Sequence, residues 1–395
     1  MMEMFTDEMR RNPYPLYDEL RNHMPVFQVP GTRMWMLFDY ESVKRALTDH
    51  EAFSSVVRTP AGGKTPDWLV FSDPPRHSKL RAIVMRAFTP RSIASLEPRV
   101  RELSRELLAP HLGRGELDLV ADYSAPLPVI VMAELLGIPV EDRPRFLRWG
   151  EVIMNLSYNI EPGEAAERSV REHAAAKEEM RAYLAHVREE RRQAPRDDLL
   201  TRLFEAEVDG ERLTEEEVLG FFQLLLSAGT ETTTNLIDNA MLCFLEHPDQ
   251  LARLRGAPEL LPSAIEEVLR YRSPAQVMYR ETKRELALHG VTLPAGTFVL
   301  PIIGSANRDP RQFHEPHRFD IGRNPNPHIA FGHGIHFCLG AALSRLEARV
   351  ALGDLLERMK DFALASAEPW EPRKALHVHG PLRLPLRFEP SQRHR

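Results

Sequence analysis

The chain has 395 residues and a net charge of −6, and 43% of its residues are apolar, which is ample for a large core. The charge gives no sign of the basic patch typical of nucleic-acid binding, no apolar run approaches the ~18 residues of a membrane span, and the acidic N-terminus lacks the pattern of a signal peptide. Because two cysteines cannot form a disulfide framework, we expect a reducing, cytoplasmic location.

The first half of the chain predicts mainly helices. Helical spacing occurs in residues 1–24 and 41–47, and two strands are predicted at 26–28 and 34–38. The glycines and prolines of residues 54–70 predict a loop. Beyond this loop, helical patterns dominate in 75–112, 125–136, 144–154, 163–192 and 197–207.

Residues 214–247 predict one long helix. Thr214 and Glu217 have the spacing of a capping box at its start. Pro248 ends it, because the residue before a proline avoids the helical region. At 1.5 Å per residue such a helix would be about 50 Å long. The apolar run at 221–226 indicates that it is buried.

Several rules of helix formation are broken near the middle of this helix. Gly229 costs about 1 kcal/mol in a helix interior, and the threonines of 230–234 carry hydroxyls that can bond back to helix carbonyls. Glu231 adds a carboxylate to an apolar helix. Several residues that disfavour a helix at one place are expected at functional sites. The alternative is a plain helix kink with a solvated charge.

The second half of the chain ends that helix and adds strands. Glu267 and Arg270 lie on one helix face, although the same spacing elsewhere in the chain indicates only surface ion pairs. Residues 280–303 alternate as in strands and hairpins, 341–361 are helical, and 375–390 alternate again. We therefore predict a mainly α fold with minor β. No linker divides it, which predicts a single domain over residues 1–395.

Cys338 lies in a glycine-rich stretch, Phe331-Gly332-His333-Gly334-Ile335-His336-Phe337-Cys338-Leu339-Gly340. Glycine allows a tight turn, and a thiolate that ligates a metal needs backbone N–H groups within reach. Two alternatives are a buried structural thiol and a zinc site with His328, His333 and His336. The spacing of those histidines fits no usual zinc-finger pattern. Cys243, in an apolar helical stretch, is expected to be an inert core thiol.

The pattern Phe331-x-x-Gly334-x-His336-x-Cys338-x-Gly340 resembles the cysteine-ligand signature of the cytochrome P450 superfamily, of the soluble bacterial type. The segment 228–233, Ala-Gly-Thr-Glu-Thr-Thr, is similar to the family's oxygen groove. The resemblance implies a helix-rich haem-thiolate fold with a small β-rich region, formed by a single catalytic domain. It also implies haem b as the cofactor, with Cys338 as the axial ligand of the iron.

The resemblance assigns further residues to the site. In the family's pattern, Glu231 relays protons and Thr232 donates a hydrogen bond to dioxygen. Other cofactor-binding residues are His77, Arg81, Arg280 and His336 at the propionates, with Ala228, Gly229, Phe331 and Gly340. Candidate substrate-binding residues are Val70, Leu225, Ala228, Thr232, Ala275 and Val277, with 153–160 as a mobile lid. Glu267, Arg270 and Arg318 would form a buried structural triad.

The implied activity is that of a monooxygenase, which inserts one oxygen atom from O2 into a C–H or C=C bond of a hydrophobic small molecule. Without a reductase domain, the chain would receive electrons from a separate ferredoxin and its NAD(P)H-linked ferredoxin reductase. The candidate docking residues are Lys79, Arg81, Arg345 and Arg349. The alternatives are a peroxide-driven oxygenase and a non-enzymatic haem-thiolate sensor, neither of which needs the pair Glu231 and Thr232.

Overall fold

The computed structural model describes residues 6–57, 68–158 and 163–391. Its contacts divide the chain into two compact units, each made of separate segments. The larger unit contains Met1–Ser54, Ala94–Leu127 and Thr232–Arg395. The smaller unit contains Ser55–Ile93 and Pro128–Glu231. The single catalytic domain stays a prediction.

Helices dominate the described residues, which confirms the predicted mainly α class. They are α1 (Asp7–Arg11), α2 (Tyr14–His23), α3 (Tyr40–Thr48), α4 (Arg76–Ala87), α5 (Pro90–Ala94), α6 (Glu97–Leu112), α7 (Pro126–Leu136), α8 (Arg143–Tyr158), α9 (Glu164–Gln193), α10 (Leu199–Glu205), α11 (Glu215–Ala228), α12 (Glu231–Glu246), α13 (Pro248–Gly256), α14 (Leu261–Tyr271), α15 (Ile303–Ala306) and α16 (Ala341–Arg358).

The strands form small sheets, as predicted for the minor β part. They are β1 (Val26–Gln28), β2 (Met34–Leu37), β3 (Phe53–Ser54), β4 (Glu116–Asp118), β5 (Glu207–Val208), β6 (Glu211–Arg212), β7 (Arg280–Thr282), β8 (Leu286–Leu288), β9 (Val291–Leu293), β10 (Phe298–Pro301), β11 (Met359–Leu364) and β12 (Pro385–Pro390). The main sheet has the order β1-β2-β10-β7-β3. In it β2 and β10 are parallel, and the other pairs are antiparallel.

A core of the larger unit lies between this sheet and α3. Leu37 of β2, Val43 of α3 and Val299 of β10 are fully buried in one cluster with Phe53 and Ile303. Burying such side chains stabilises the fold by roughly 1.5–3 kcal/mol each. Because α3 is held by this core, its C-terminal end is a fixed support for the cysteine loop.

The smaller unit has an aromatic core of its own. Phe146 and Trp149 of α8 both pack edge-on against Phe222 of α11, with ring centroids 5.9 and 6.1 Å apart. Tyr183 of α9 packs edge-on against Trp149 at 5.4 Å. Such pairs add about 0.5–1.5 kcal/mol each beyond the area that they bury. These contacts attach α11 at Phe222 to α8 within this unit.

The predicted single helix over 214–247 is broken into α11 and α12. Its capping box is confirmed, with Glu217 N–H donating to Thr214 Oγ1 at 3.2 Å and Thr214 N–H donating to Glu217 Oε2 at 2.8 Å. The break follows from Thr230, whose hydroxyl donates to the Leu226 carbonyl at 2.9 Å and so competes with the helix ladder. A Cβ on Gly229 would lie 2.8 Å from the Leu225 carbonyl oxygen and 2.5 Å from Met132 Cε, so a larger residue would force a shift there.

Other differences from the sequence predictions have local causes. Pro13 separates α1 from α2, where one helix was predicted. Strand-like alternation was predicted over 375–390. In this range the structure has the strand β12, and the proline-containing stretch before it forms isolated bridges. Of the predicted loop 54–70, residues 58–67 lie outside the described residues, as do 159–160 of the predicted lid. Residues up to Tyr158 of that lid belong to α8.

One helical stretch is apolar enough to cross a membrane, contrary to the sequence expectation that no apolar run approaches that length. Leu119–Leu136 has a mean hydropathy of 1.5, by length and composition only. Within the structure 61% of this window is buried. A buried core helix passes the same test, so this stretch is weak evidence for a membrane span.

Candidate active site

The cysteine loop of the larger unit is closed by its own backbone. Cys338 N–H donates to the Phe331 carbonyl at 2.9 Å, and Phe337 N–H donates to the Gly334 carbonyl at 3.1 Å. Gly332 and Gly334 have φ values of +73° and +72°, which side chains with a Cβ rarely adopt. These contacts hold the Cys338 side chain in one place at the end of a short turn of 3₁₀ helix.

The loop also lies too close to α3 for a larger residue. A Cβ on Gly334 would lie 3.1 Å from Thr48 Cα and 3.2 Å from the Leu47 carbonyl oxygen. A Cβ on Gly340 would lie 4.0 Å from Cys338 Sγ. Gly334 therefore allows the loop to approach α3, whereas a Cβ on Gly340 would make an ordinary van der Waals contact with the sulfur.

The two cysteines differ in environment. Cys243 is fully buried, and burial raises the pKa of its thiol to about 12. This agrees with the prediction of an inert core thiol. Cys338 forms no disulfide and is only partly buried. Its exposure does not suit the structural-thiol alternative, because structural cysteines are generally buried.

The zinc alternative finds no support in the part of the chain that the structure describes. There, no group of three or more His, Cys, Asp or Glu side chains is arranged to hold a metal ion. His328 Nε2 lies 3.0 Å from Glu266 Oε2, and His333 Nδ1 lies 3.5 Å from Thr48 Oγ1. These histidines therefore contact other partners.

The predicted propionate contacts are distributed over both units. Arg280 of β7, in the larger unit, is buried, and its guanidinium donates to the carbonyl oxygens of Ala46 at 3.1 Å and Tyr279 at 2.8 Å. His336 ends the 3₁₀ turn before Cys338. His77, which is buried, and Arg81 both belong to α4 of the smaller unit.

The predicted proton-relay residues begin α12. Glu231 is its first residue and is 8% exposed, and Thr232 follows directly. Thr233 donates from its hydroxyl to Ser344 Oγ at 3.1 Å. Since Ser344 lies in α16, which follows Cys338, this bond ties the start of α12 to the cysteine loop's own helix.

The buried ion pair between Glu267 and Arg270 was predicted correctly. Both side chains are 0% exposed, and Arg270 donates from Nε and Nη2 to the two Glu267 oxygens at 2.8 Å each. Arg270 Nη1 also donates to the Pro316 carbonyl at 2.8 Å. The pair thus fixes α14 to the segment that leads to the cysteine loop.

The assignment of Arg318 as the third member of the triad was wrong. Its side chain is 59% exposed and pairs with Glu315 at 3.1 Å, and Arg318 contributes its carbonyl, which accepts from Arg270 Nη2. Arg323 fills the position instead, with Nε 3.1 and 3.2 Å from the Glu267 oxygens. Arg323 can do so because the chain turns back after Arg318, which no periodic pattern reveals.

Comparison with known proteins decides the family. The family model for Cytochrome P450 matches residues 2–371. The chain belongs to the cytochrome P450 family. A putative cytochrome P450, YjiB of Bacillus subtilis (strain 168), is 44% identical over 363 residues, which cover 91% of this chain and 90% of that protein.

Further similarities agree with this P450 assignment. The vitamin D(3) 25-hydroxylase of Pseudonocardia autotrophica is 38% identical over 400 residues, 98% of this chain and 96% of that protein. Substrate-free CYP109E1 of Bacillus megaterium is similar with a TM-score of 0.90 and 40% identity, covering 97% of this chain and 100% of that one. The chain is therefore a cytochrome P450 monooxygenase, and the family's cofactor is a haem-thiolate.

The residues of the larger unit fit such a cofactor. A haem iron needs an accessible thiolate, and Cys338 is the partly buried cysteine, held in a glycine loop. Haem also carries two anionic propionates, for which the buried guanidinium of Arg280 is a suitable partner.

The predicted substrate-binding residues also lie in both units of this P450. Val70 belongs to a 3₁₀ turn, Leu69–Phe71, and Leu225 and Ala228 to the last turn of α11, all in the smaller unit. Ala275 and Val277, in the larger unit, form isolated bridges with Val378 and Ile302. Their contact with a substrate stays a prediction.

Sequence reasoning missed a buried carboxyl group on α12. Asp238 is fully buried, and Ser124 Oγ donates to its Oδ1 at 2.6 Å. Burial raises the pKa of Asp238 to about 7, although the Ser124 hydrogen bond and the charge of Arg373 oppose the rise. Its i+3 and i+4 neighbours, Met241 and Leu242, are apolar, which is the sequence signal that could have placed this aspartate on a buried helix face.

Asp238→Asn should stabilise the protein above pH 7. The native state keeps the Asp238 proton to higher pH than the unfolded chain, so stability falls as the pH rises from about 4 to about 7. Above this window the buried charge costs on the order of 3–4 kcal/mol. Urea unfolding at pH 5 and pH 8 should show a gain for the variant at pH 8 that is mostly absent at pH 5.

Asp249→Asn is the matched control for this experiment. Asp249 is exposed, and a hydrogen bond from Gln250 lowers the pKa of its carboxyl. Its replacement should therefore leave stability nearly unchanged or slightly reduced. An Asp238→Asn variant that is equally stable, relative to the parent, at both pH values would contradict the buried-charge account.

Proposed function

We propose that this P450 inserts one oxygen atom from O2 into a C–H or C=C bond of an apolar small molecule. Haem b would be bound through Cys338, and the enzyme would act in the cytoplasm. The bound haem-thiolate supplies the oxygen chemistry, while the protein orients substrate and moves protons. The observation that carries the proposal is the helix break at Gly229 and Thr230, which makes the acid Glu231 and the alcohol Thr232 the opening residues of α12.

The break supports proton delivery for a physical reason. The break places the Glu231 carboxylate and the Thr232 hydroxyl on adjacent residues at the start of α12. Glu231 is nearly buried yet lies in the first turn, where the helix dipole favours a carboxylate. A sensor or a peroxide-driven oxygenase would have no use for this pair, and its presence favours reaction with O2.

An apolar substrate of steroid size agrees with the relatives. One relative is named a vitamin D(3) 25-hydroxylase, and CYP109E1 of Bacillus megaterium has been solved in complex with corticosterone, at 40% identity and a TM-score of 0.88. The candidate contact residues Val70, Leu225 and Val277 are apolar, as expected for such pockets. Substrates can be sought directly by screening a library of steroids and secosteroids for compounds that change the absorption spectrum of the ferric enzyme.

Electrons would come from a ferredoxin and its NAD(P)H-linked reductase. The candidate cations on α16 are already in ion pairs, Arg345 with Glu266 and Arg349 with Glu97, yet they stay 38% and 40% exposed. Lys79 of the smaller unit is likewise paired, with Glu211 at 2.6 Å. The positive charge that these residues offer to a docking ferredoxin would therefore be partly neutralised. Complementary charge on the ferredoxin would mainly raise the association rate.

Thr232→Ala tests the proposed activity. Product formed per NAD(P)H consumed should fall by about tenfold or more, since positioned proton transfer contributes at least about a hundredfold in enzymes. Thr234→Ala is the matched control, because its buried hydroxyl donates to the Ser124 carbonyl at 2.9 Å. Unchanged coupling in Thr232→Ala would overturn the proton-delivery assignment. Absence of substrate-linked electron consumption across the library would favour the sensor.

A further inference from the structure

Two neighbouring carboxylates of α14 have different partners. Glu267 belongs to the buried triad. Glu266 instead accepts two hydrogen bonds from Arg345 of α16, from Nε to Oε1 at 2.6 Å and from Nη2 to Oε2 at 2.8 Å. His328 Nε2 is 3.0 Å from Glu266 Oε2. All these residues belong to the larger unit, as does Cys338.

Arg345 also lies on an aromatic ring of the cysteine loop. Its guanidinium carbon is 4.4 Å from the centroid of the Phe331 ring, within the range of an attractive cation–π contact. The Phe331 carbonyl accepts the Cys338 N–H at 2.9 Å. The charge of Arg345 is thus connected to the sulfur-bearing residue through one aromatic residue.

The charges of this group are stable over the working pH range. Burial alone would raise the pKa of Glu266, but hydrogen bonds from Arg345 and His328, with their charges, lower it to about 2. The hydrogen bond to Glu266 raises the pKa of Arg345, and the thiolate of Cys338 contributes in the same direction. Since a charge interaction acts equally on both partners, Arg345 stabilises negative charge on Cys338.

We propose that Arg345, Glu266 and Phe331 form a positioning unit that sets the reduction potential of the haem iron held by Cys338. The Arg345 cation, held over the Phe331 ring, withdraws charge from the thiolate and raises the potential. Glu266 fixes the guanidinium in place and partly cancels its charge, which lowers the potential. The inference rests on thiolate ligation by Cys338, and it needs neither the substrate nor the electron donor proposed above.

A purely structural clamp predicts something different from this charge effect. If the ion pair only holds α14 to α16, removing either partner should reduce stability and move the potential little, or in one common direction. If charge sets the potential, the two partners act with opposite sign. Arg345→Gln should lower the potential, and Glu266→Gln should raise it.

The test is a redox titration of the purified haem protein without substrate or oxygen. At a fixed applied potential near the midpoint, the ferrous-to-ferric ratio should fall several-fold in Arg345→Gln and rise in Glu266→Gln. Arg345→Lys, which keeps the charge, should recover most of the parent ratio. Glu266→Gln keeps an oxygen for Arg345, so it still folds if Arg345→Gln does not.

A second ion pair on α16 provides the control. Arg349 Nη2 lies 2.8 Å from Glu97 Oε2, and the two pairs have nearly equal exposure. Arg349→Gln and Glu97→Gln should leave the ratio near that of the parent. Shifts of the same sign in the two test variants, or shifts no larger than those of the controls, would overturn the proposal. Neither result would bear on oxygen insertion.

Discussion

Replacing Cys338 with serine should abolish the far-red-shifted Soret band that ferrous P450 shows with carbon monoxide. A serine hydroxyl stays protonated where a thiol ionises, so it cannot provide the thiolate ligand. Product formation should fall to background at the same time. The measurement is the spectrum after reduction with dithionite and addition of carbon monoxide, with total haem determined separately.

Cys243→Ser is the matched control, because it changes the chain's other cysteine. Cys243 is fully buried in α12 and has no contact assigned to the cofactor. This variant should keep the band and lose roughly 1–3 kcal/mol of stability, the usual cost of burying a hydroxyl without a partner. A Cys338→Ser protein that retained the red-shifted band would show that another residue supplies the ligand.

Motifs of fixed spacing were predictable because their chemistry is local. The cysteine loop needs glycines at positive φ next to a thiol, and Gly332, Gly334 and Cys338 meet that need within seven residues. The capping box at Thr214 is equally local. The pairing of Glu267 with Arg270 required only one turn of helix.

Features that depend on a turn of the irregular chain were not predictable. Arg318 and Arg323 are both plausible partners of Glu267 by distance along the chain, and only the reversal after Arg318 directs Arg323 inward. Gly229 and Met132, whose side chain a Cβ on that glycine would meet, are almost a hundred residues apart. Asp238 and its hydrogen-bond partner Ser124 are more than a hundred residues apart. Contacts of this kind leave no periodic signal in the sequence.

Glu267→Gln should destabilise the protein by about 3–5 kcal/mol, the cost of breaking a buried ion pair by removing one partner. Glu267 is 0% exposed and receives both Arg270 and Arg323, as well as the Asp320 N–H at 2.9 Å. Neutralising Glu267 leaves the guanidinium groups of Arg270 and Arg323 in the interior without the carboxylate that balances their charge. Urea unfolding, with haem retention followed in parallel, would measure the loss.

The two arginines decide whether the corrected triad is right. Arg323 is 11% exposed and shares the Glu267 carboxylate, so Arg323→Gln should lose several kcal/mol and release haem at lower urea. Arg318→Gln removes only an exposed pair with Glu315 and should cost about 0–1 kcal/mol. The opposite order would restore Arg318 to the triad. Because both variants make the same substitution in one segment, the difference between them isolates burial and the contact with Glu267.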